Sequence, residues 1–190
     1  MNGIASDGFL TGHLLIAMPA MQDPNFHQTV TFLCEHNDQG ALGIVINRPL
    51  DMDMGMIFEQ LSLDTGNTLL SRQPVLCGGP VQQERGFVLH DAGLPFDSTV
   101  QVSAGVAVTT SQDILGALAR GEGPAHAVVA LGYAGWAAGQ LETEMAANAW
   151  LSVPATPELL FDTPFEERWA AAARLLGVDI SRLGSEAGHA

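Results

Sequence analysis

The sequence predicts a single α+β domain built on a mixed, mainly antiparallel β-sheet with flanking helices. Three observations carry that prediction. Residues 29–47 read as a hairpin: TVTFLCEH alternates in character, Asn37-Asp38-Gln39-Gly40 supplies turn chemistry, and LGIVIN returns. Residues 127–151 pass from a short apolar run through a glycine-spaced turn into an amphipathic helix and a further strand. Along the whole chain, about eight or nine short strands mix with about four or five helices, and the early hairpin argues against a purely parallel sheet. The 190 residues suit one domain. Folding at that size buries roughly 70% of the unfolded surface, enough for a proper core.

Taken in order, residues 1–11 form a loose lead-in, and HLLIAM (13–18) is an apolar strand ended by Pro19. Gln22-Asp23-Pro24-Asn25 is turn chemistry. In the hairpin, Val30, Phe32, Cys34 and His36 are expected on one face and Thr31, Leu33 and Glu35 on the other. Arg48-Pro49 ends the return strand. Met54, Ile57, Phe58 and Leu61 show helical spacing within a Met-rich segment. Residues 63–72 are a polar connection, Pro74–Cys77 is a short strand broken by Gly78-Gly79-Pro80, GFVLH (86–90) is another strand, and 91–97 a loop.

Thr99–Val108 reads as two strands around Ser103-Ala104-Gly105. Thr110 or Ser111 then caps a helix running to Arg120, with Gly121 as its stop. Ala127–Leu131 has the length and paired valines of a strand buried on both faces. Gly132, Gly135 and Gly139 predict a tight strand-to-helix turn, and Leu141, Met145 and Ala149 mark the apolar face of the helix that follows. A strand ends near Pro154, and residues 158–161 make a short helix or turn. Thr163-Pro164-Phe165-Glu166 is an N-terminal capping box for a helix with Phe165, Trp169, Ala172 and Leu176 inward, stopped by Gly177. Residues 178–190 read as a polar tail.

Composition excludes several functions. The chain has 21 acidic residues against 7 basic ones, and every basic residue is arginine. Without lysine there is no Schiff-base chemistry and no P-loop lysine. A net charge of −14 opposes contact with nucleic acid or an anionic membrane. No signal-peptide pattern opens the sequence and no apolar run is long enough to span a bilayer. Two cysteines are too few for a disulfide scaffold, so a reducing, cytoplasmic setting is expected.

Candidate chemistry is sparse. Cys77 before two glycines can act as a nucleophile with backbone N–H groups as an oxyanion site and His36 or His90 as base. A buried thiol ending a strand explains the same residues without catalysis. Cys34 and His36, two apart, can supply two metal ligands, with Cys77 and His90 completing four if they lie nearby. No motif fixes such a site, and no metal or other cofactor is expected. Asn47, Arg48 and Arg85 can form an anion pocket that the acidic surface otherwise lacks; structural salt bridges for the arginines and backbone hydrogen bonds for Asn47 are the plainer uses. Gly132 and Gly135 can bring backbone close to a ligand, with Trp136 as a wall. Their spacing matches neither a dinucleotide fingerprint nor a P-loop, and Glu142 and Glu144 would repel a phosphate. Tight turns and aromatic packing are the competing uses.

Several of these stretches together resemble the AlgH/YqgE family of bacterial proteins: GHLLIAMPAMQDPNFHQTV, HNDQGALGIVINRP, CGGPV, GFVLH, LGYAGWAAGQLETE and the closing GHA. The resemblance runs from Gly12 to the C-terminus. It implies a single domain whose sheet closes partly into a barrel. The family brings no established activity and no agreed catalytic residues; a transcriptional-regulator label attaches to some members through genetic association. The expectation is therefore a non-catalytic binding or regulatory module acting through a protein partner or a small ligand. A Cys77 hydrolase or transferase, and an anion binder using Arg48 and the glycine turn, are the alternatives.

Overall fold

A computed structural model describes residues 8–65, 68–103 and 105–187. Ten strands are present among them: β1 (His13–Ala17), β2 (Val30–Asn37), β3 (Gly40–Val45), β4 (Pro49–Asp53), β5 (Pro74–Cys77), β6 (Val81–Asp91), β7 (Thr99–Ser103), β8 (Val106–Thr109), β9 (Ala127–Ala137) and β10 (Trp150–Pro154). The helices are α1 (Met54–Gln60), α2 (Thr68–Ser71), α3 (Asp113–Ala119), α4 (Gln140–Ala146), α5 (Pro157–Phe161), α6 (Arg168–Arg174) and α7 (Ile180–Ala187), with a 3₁₀ turn at Phe165–Glu167. The fold is α+β. Its mostly antiparallel sheet curls into a half-barrel in the order β10-β1-β2-β3-β9-β6-β8-β7, with β4 and β5 as a side branch.

The predicted hairpin forms as β2–β3, with Asn37 opposite Gly40. Strand β9 is the axis of the sheet. One edge pairs with β6. The other pairs first with β5, in parallel, at Ala130–Leu131, and then with β3 at Ala134–Ala137. Adjacent residues on the inner strands enter different cores. Leu14 and Ile16 join the cluster covered by α5, α6 and α7. Leu15 and Ala17 join a second, covered by α4. Val88 and Val129 join a third, beneath α1 and α3, whereas Phe87 and Val128 face the first. This two-sided burial explains the continuous apolar runs at 13–17 and 127–131.

The expected turn at Gly132–Gly139 is corrected: β9 continues past Gly132 and Gly135 to Ala137. Gly132, at φ +82, is where β9 changes partner from β5 to β3. A Cβ there would stand 2.5 Å from the Gly79 carbonyl oxygen, and one on Gly79 would strike the Tyr133 backbone. The glycines admit a backbone crossing instead of a turn. Segment 49–53 is a strand that the sequence reading did not contain, and Asp53 caps α1 by accepting from the Met56 N–H at 3.0 Å.

Other boundaries shift for local reasons. Ser111 does not cap α3; its hydroxyl bonds the Asp113 carboxylate. The capping threonine near α5 is Thr156, while Thr163 bonds the Glu158 carbonyl instead of capping. Leu176 is exposed, and the expected tail holds α7. The polar connection at 63–72 includes α2. Expectations for residues 1–7, 66–67, 104 and 188–190 lie outside the described residues.

Candidate functional site

Helices α1 and α3 lie over β6 and β9 without closing on each other. Between them is a cleft of about 350 Å³. Ile57 and Leu61 line the α1 side, Leu115 the α3 side, and Val88, Val129 and Leu131 the floor. Gly86 completes the floor, and a Cβ there would meet only Leu131 Cδ2, at 3.9 Å. Gln60, Thr110, Ser111 and Gln112 put hydrogen-bonding groups in the lining, and Glu84 is its sole charged side chain among the described residues. Such an arrangement suits an apolar body with a neutral or cationic polar end.

The proposed nucleophile and bases do not meet. Cys77 pairs with Leu131 and His90 with Ala127, on opposite edges of β9. Four residues of strand separate them by about 13 Å along β9 alone, far beyond hydrogen-bond reach. His90 is fully buried and both its ring nitrogens are engaged. Nδ1 lies 2.8 Å from the Asp91 carbonyl, so it must donate. Nε2 then accepts from the Thr109 hydroxyl at 2.7 Å. Thr109 in turn accepts from Thr99, which accepts from the Phe96 N–H. This relay holds a neutral imidazole, and burial pulls its pKa below the ordinary 6.5.

His36 stands opposite Ala41 on β3, whose neighbour on β9 is Trp136, further along the sheet from Cys77. Its Nδ1 accepts from the Leu10 N–H at 2.9 Å. Its buried Nε2 sits 3.4 Å from Glu142 but outside hydrogen-bond geometry. The expected Cys34/His36 face is corrected by a β-bulge between Leu33 and Glu35. Cys34 therefore packs against the core under α5–α7, while His36 points to the α4 side. Burial pushes the Cys34 thiol up to about 12, which suppresses the thiolate.

Asn47 and Arg48 act on backbone. Asn47 accepts from the Val30 N–H and donates to the Gln28 carbonyl. Arg48 donates to the carbonyls of Asn25 and His27 at 2.8 and 3.0 Å. Together they hold the 25–30 segment against the end of β3. Arg85 lies over the rings of Phe87 and Tyr133, at 5.0 and 6.0 Å. Gly132 is the strand crossing, and Gly135 sits opposite Leu42 in the β3–β9 ladder.

Trp136 is 6% exposed, and its indole N–H donates to Glu144 Oε1 at 3.0 Å. Trp150 donates to the same oxygen at 2.9 Å, and Gln140 to Oε2 at 2.9 Å. Sequence reasoning missed this clamp, because the three partners sit on a strand, a helix and another strand and share no period.

The chain belongs to the AlgH-like family: the family model described as "DUF179: AlgH-like" matches residues 14–181. Relatives include UPF0301 proteins of Ralstonia nicotianae and Thiobacillus denitrificans. Each is 55% identical over 181 residues, spanning 95% of this chain and 95% and 97% of theirs. The solution structure of the AlgH protein from Pseudomonas aeruginosa matches with a TM-score of 0.77 at 53% identity, covering 96% of both chains. A crystal structure of a Corynebacterium diphtheriae protein shares the fold, with a TM-score of 0.73 at 19% identity over 92% of this chain and 91% of that one.

Proposed function

We propose that this chain is a non-catalytic binding module whose α1–α3 cleft takes a small apolar molecule with a neutral or cationic polar end. The observation that carries the reading is the cleft itself: an apolar floor, hydrogen-bonding groups in the lining, and, among the described residues, no basic lining residue. The separation of Cys77 from His36 and His90 weighs against thiol catalysis. Arg48 ties down the 25–30 segment through two carbonyls and is not among the residues that line the cleft. A regulatory role in the cytoplasm fits these features, with any effect on transcription passing through the bound ligand or a protein partner. The −14 charge disfavours direct contact with DNA. No helix among the described residues is long and apolar enough to cross a membrane.

Gly86→Leu tests the cleft, because the new side chain enters open space at its floor. Nile red, a neutral apolar dye, should show saturable one-to-one fluorescence enhancement with the wild-type protein and none with Gly86→Leu, at unchanged circular dichroism. Equal enhancement in both proteins would remove the cleft from the proposal.

A further inference from the structure

A second cavity, of about 370 Å³, opens on the far side of the β5–β9 junction, between Pro74, His126 and the segment 161–168. Its walls are polar and apolar in nearly equal share, with Phe161, Pro164 and Phe165 forming much of the apolar part. Arg168 lines it and is only 2% exposed.

This guanidinium is a buried cation without an ion pair among the described residues. Nε donates to the Thr163 carbonyl at 2.8 Å and Nη1 to the Ile46 carbonyl at 2.6 Å. Of the five N–H donors of an arginine, that leaves three, including both on Nη2. The Phe165 ring stands 4.6 Å from Cζ. Burial lowers the pKa to about 10, with the Asp162 carboxylate opposing the shift; the group remains charged at neutral pH. Buried charges are ordinarily paired, and here Arg168 borders a cavity.

The lining also contains His126 and Asp162. His126 stacks on Phe161 and contacts the carboxylates of Asp91 and Asp162, at 3.2 and 3.7 Å. Asp162 is more than half exposed, and it makes no ion pair with Arg168. It disfavours an incoming anion without blocking the guanidinium.

We propose that this cavity is a binding site for a small monocarboxylate, with Arg168 as the carboxylate anchor and the phenylalanine walls holding an apolar body. One N–H on Nη1 and both on Nη2 remain available to a planar carboxylate. The site is distinct from the α1–α3 cleft, and binding at one does not require binding at the other.

Benzoate is the test probe, followed in ¹H–¹⁵N spectra of the full chain that include the arginine Nε signals. The expected result is a saturable shift of the Arg168 Nε signal and of amides 126 and 161–168, with a Kd on the order of 1 mM. Benzamide, the neutral analogue, should leave those signals in place. Arg168→Lys should weaken binding at least tenfold; because it can also destabilise the core, Asp162→Asn serves as the second variant. Removing that exposed competing carboxylate should tighten benzoate binding severalfold. Benzoate shifts that do not saturate, equal shifts with benzamide, or an Asp162→Asn affinity unchanged or weakened would each overturn the assignment.

Discussion

Glu144 tests the packing logic of this fold most directly. One of its oxygens accepts two indole N–H groups, from Trp136 and Trp150, and both rings are nearly buried. Glu144→Ala leaves two donors without an acceptor. An abandoned buried donor costs about 1–3 kcal/mol. Glu144 itself is half-buried, so water reaches part of the gap, and about 2–3 kcal/mol in total is the expected loss. With a urea m-value of about 1–3 kcal/mol/M, the unfolding midpoint should fall by about 1 M.

A thermodynamic cycle separates the clamp from simple loss of packing. In a Trp136→Phe/Trp150→Phe background neither indole donor is present, and Glu144→Ala should then cost less than about 1 kcal/mol, because no indole partner is stranded. The measurement is urea unfolding of the wild type and the three variants, followed by circular dichroism so that the signal does not depend on tryptophan. Equal costs of Glu144→Ala in both backgrounds would refute the clamp and leave Glu144 as an ordinary helix residue.

Three further outcomes are expected. Gly132→Ala places a Cβ 2.5 Å from the Gly79 carbonyl oxygen at a φ of +82, so it should destabilise by about 3 kcal/mol or more, read as a drop in Tm. Gly86→Val meets no such contact and adds β-branched bulk within a strand, so it should stabilise by about 0.5–1 kcal/mol in urea unfolding. His90 is held neutral in the fold with its pKa below 6.5, so at lower pH the unfolded chain binds a proton that the folded chain refuses. Its contribution to stability is thus complete above about pH 6.5 and declines as pH falls from there toward the depressed folded value. His90→Gln should flatten the stability profile in that window by up to about 1.4 kcal/mol per pH unit, measured by urea unfolding across the range.

The sheet was legible in the sequence where local signals suffice. The Asn37–Gly40 turn fixes a hairpin whatever surrounds it, and it forms where expected. The double-sided burial of 127–131 followed from an unbroken apolar run. The glycines of 132–139 misled because a glycine reports only that backbone needs room. Whether that room serves a turn or a neighbouring strand depends on Gly79, more than fifty residues away in sequence. The 34–36 register failed for a related reason: a single bulge reverses the alternation, and no residue there announces it. Among the candidate residues, the backbone role of Asn47 was among the readings, whereas Arg168 carried no local signal. Its burial depends on the Ile46 carbonyl, 122 residues distant.

The two cavities follow from one feature of the topology. Because β5 leaves β9 at Leu131 and β3 takes over at Ala134, the middle of the sheet has neighbours only four and six residues long on that edge. Short strands leave their flanks to be covered by short helices, and short helices cover incompletely. On one face α1 and α3 leave the cleft whose only charged lining residue among those described is Glu84. On the other, the 161–168 segment bridges from α5 to α6 and leaves the cavity holding Arg168. At −14 overall the protein repels anions at distances set by the Debye length, about 8 Å in physiological salt. A cation withdrawn from the surface, with its counter-charges held off its donors, can still select one at contact. The acidic exterior and the buried arginine therefore act at different ranges. On the reading proposed above, the second leaves a small carboxylate a place to bind.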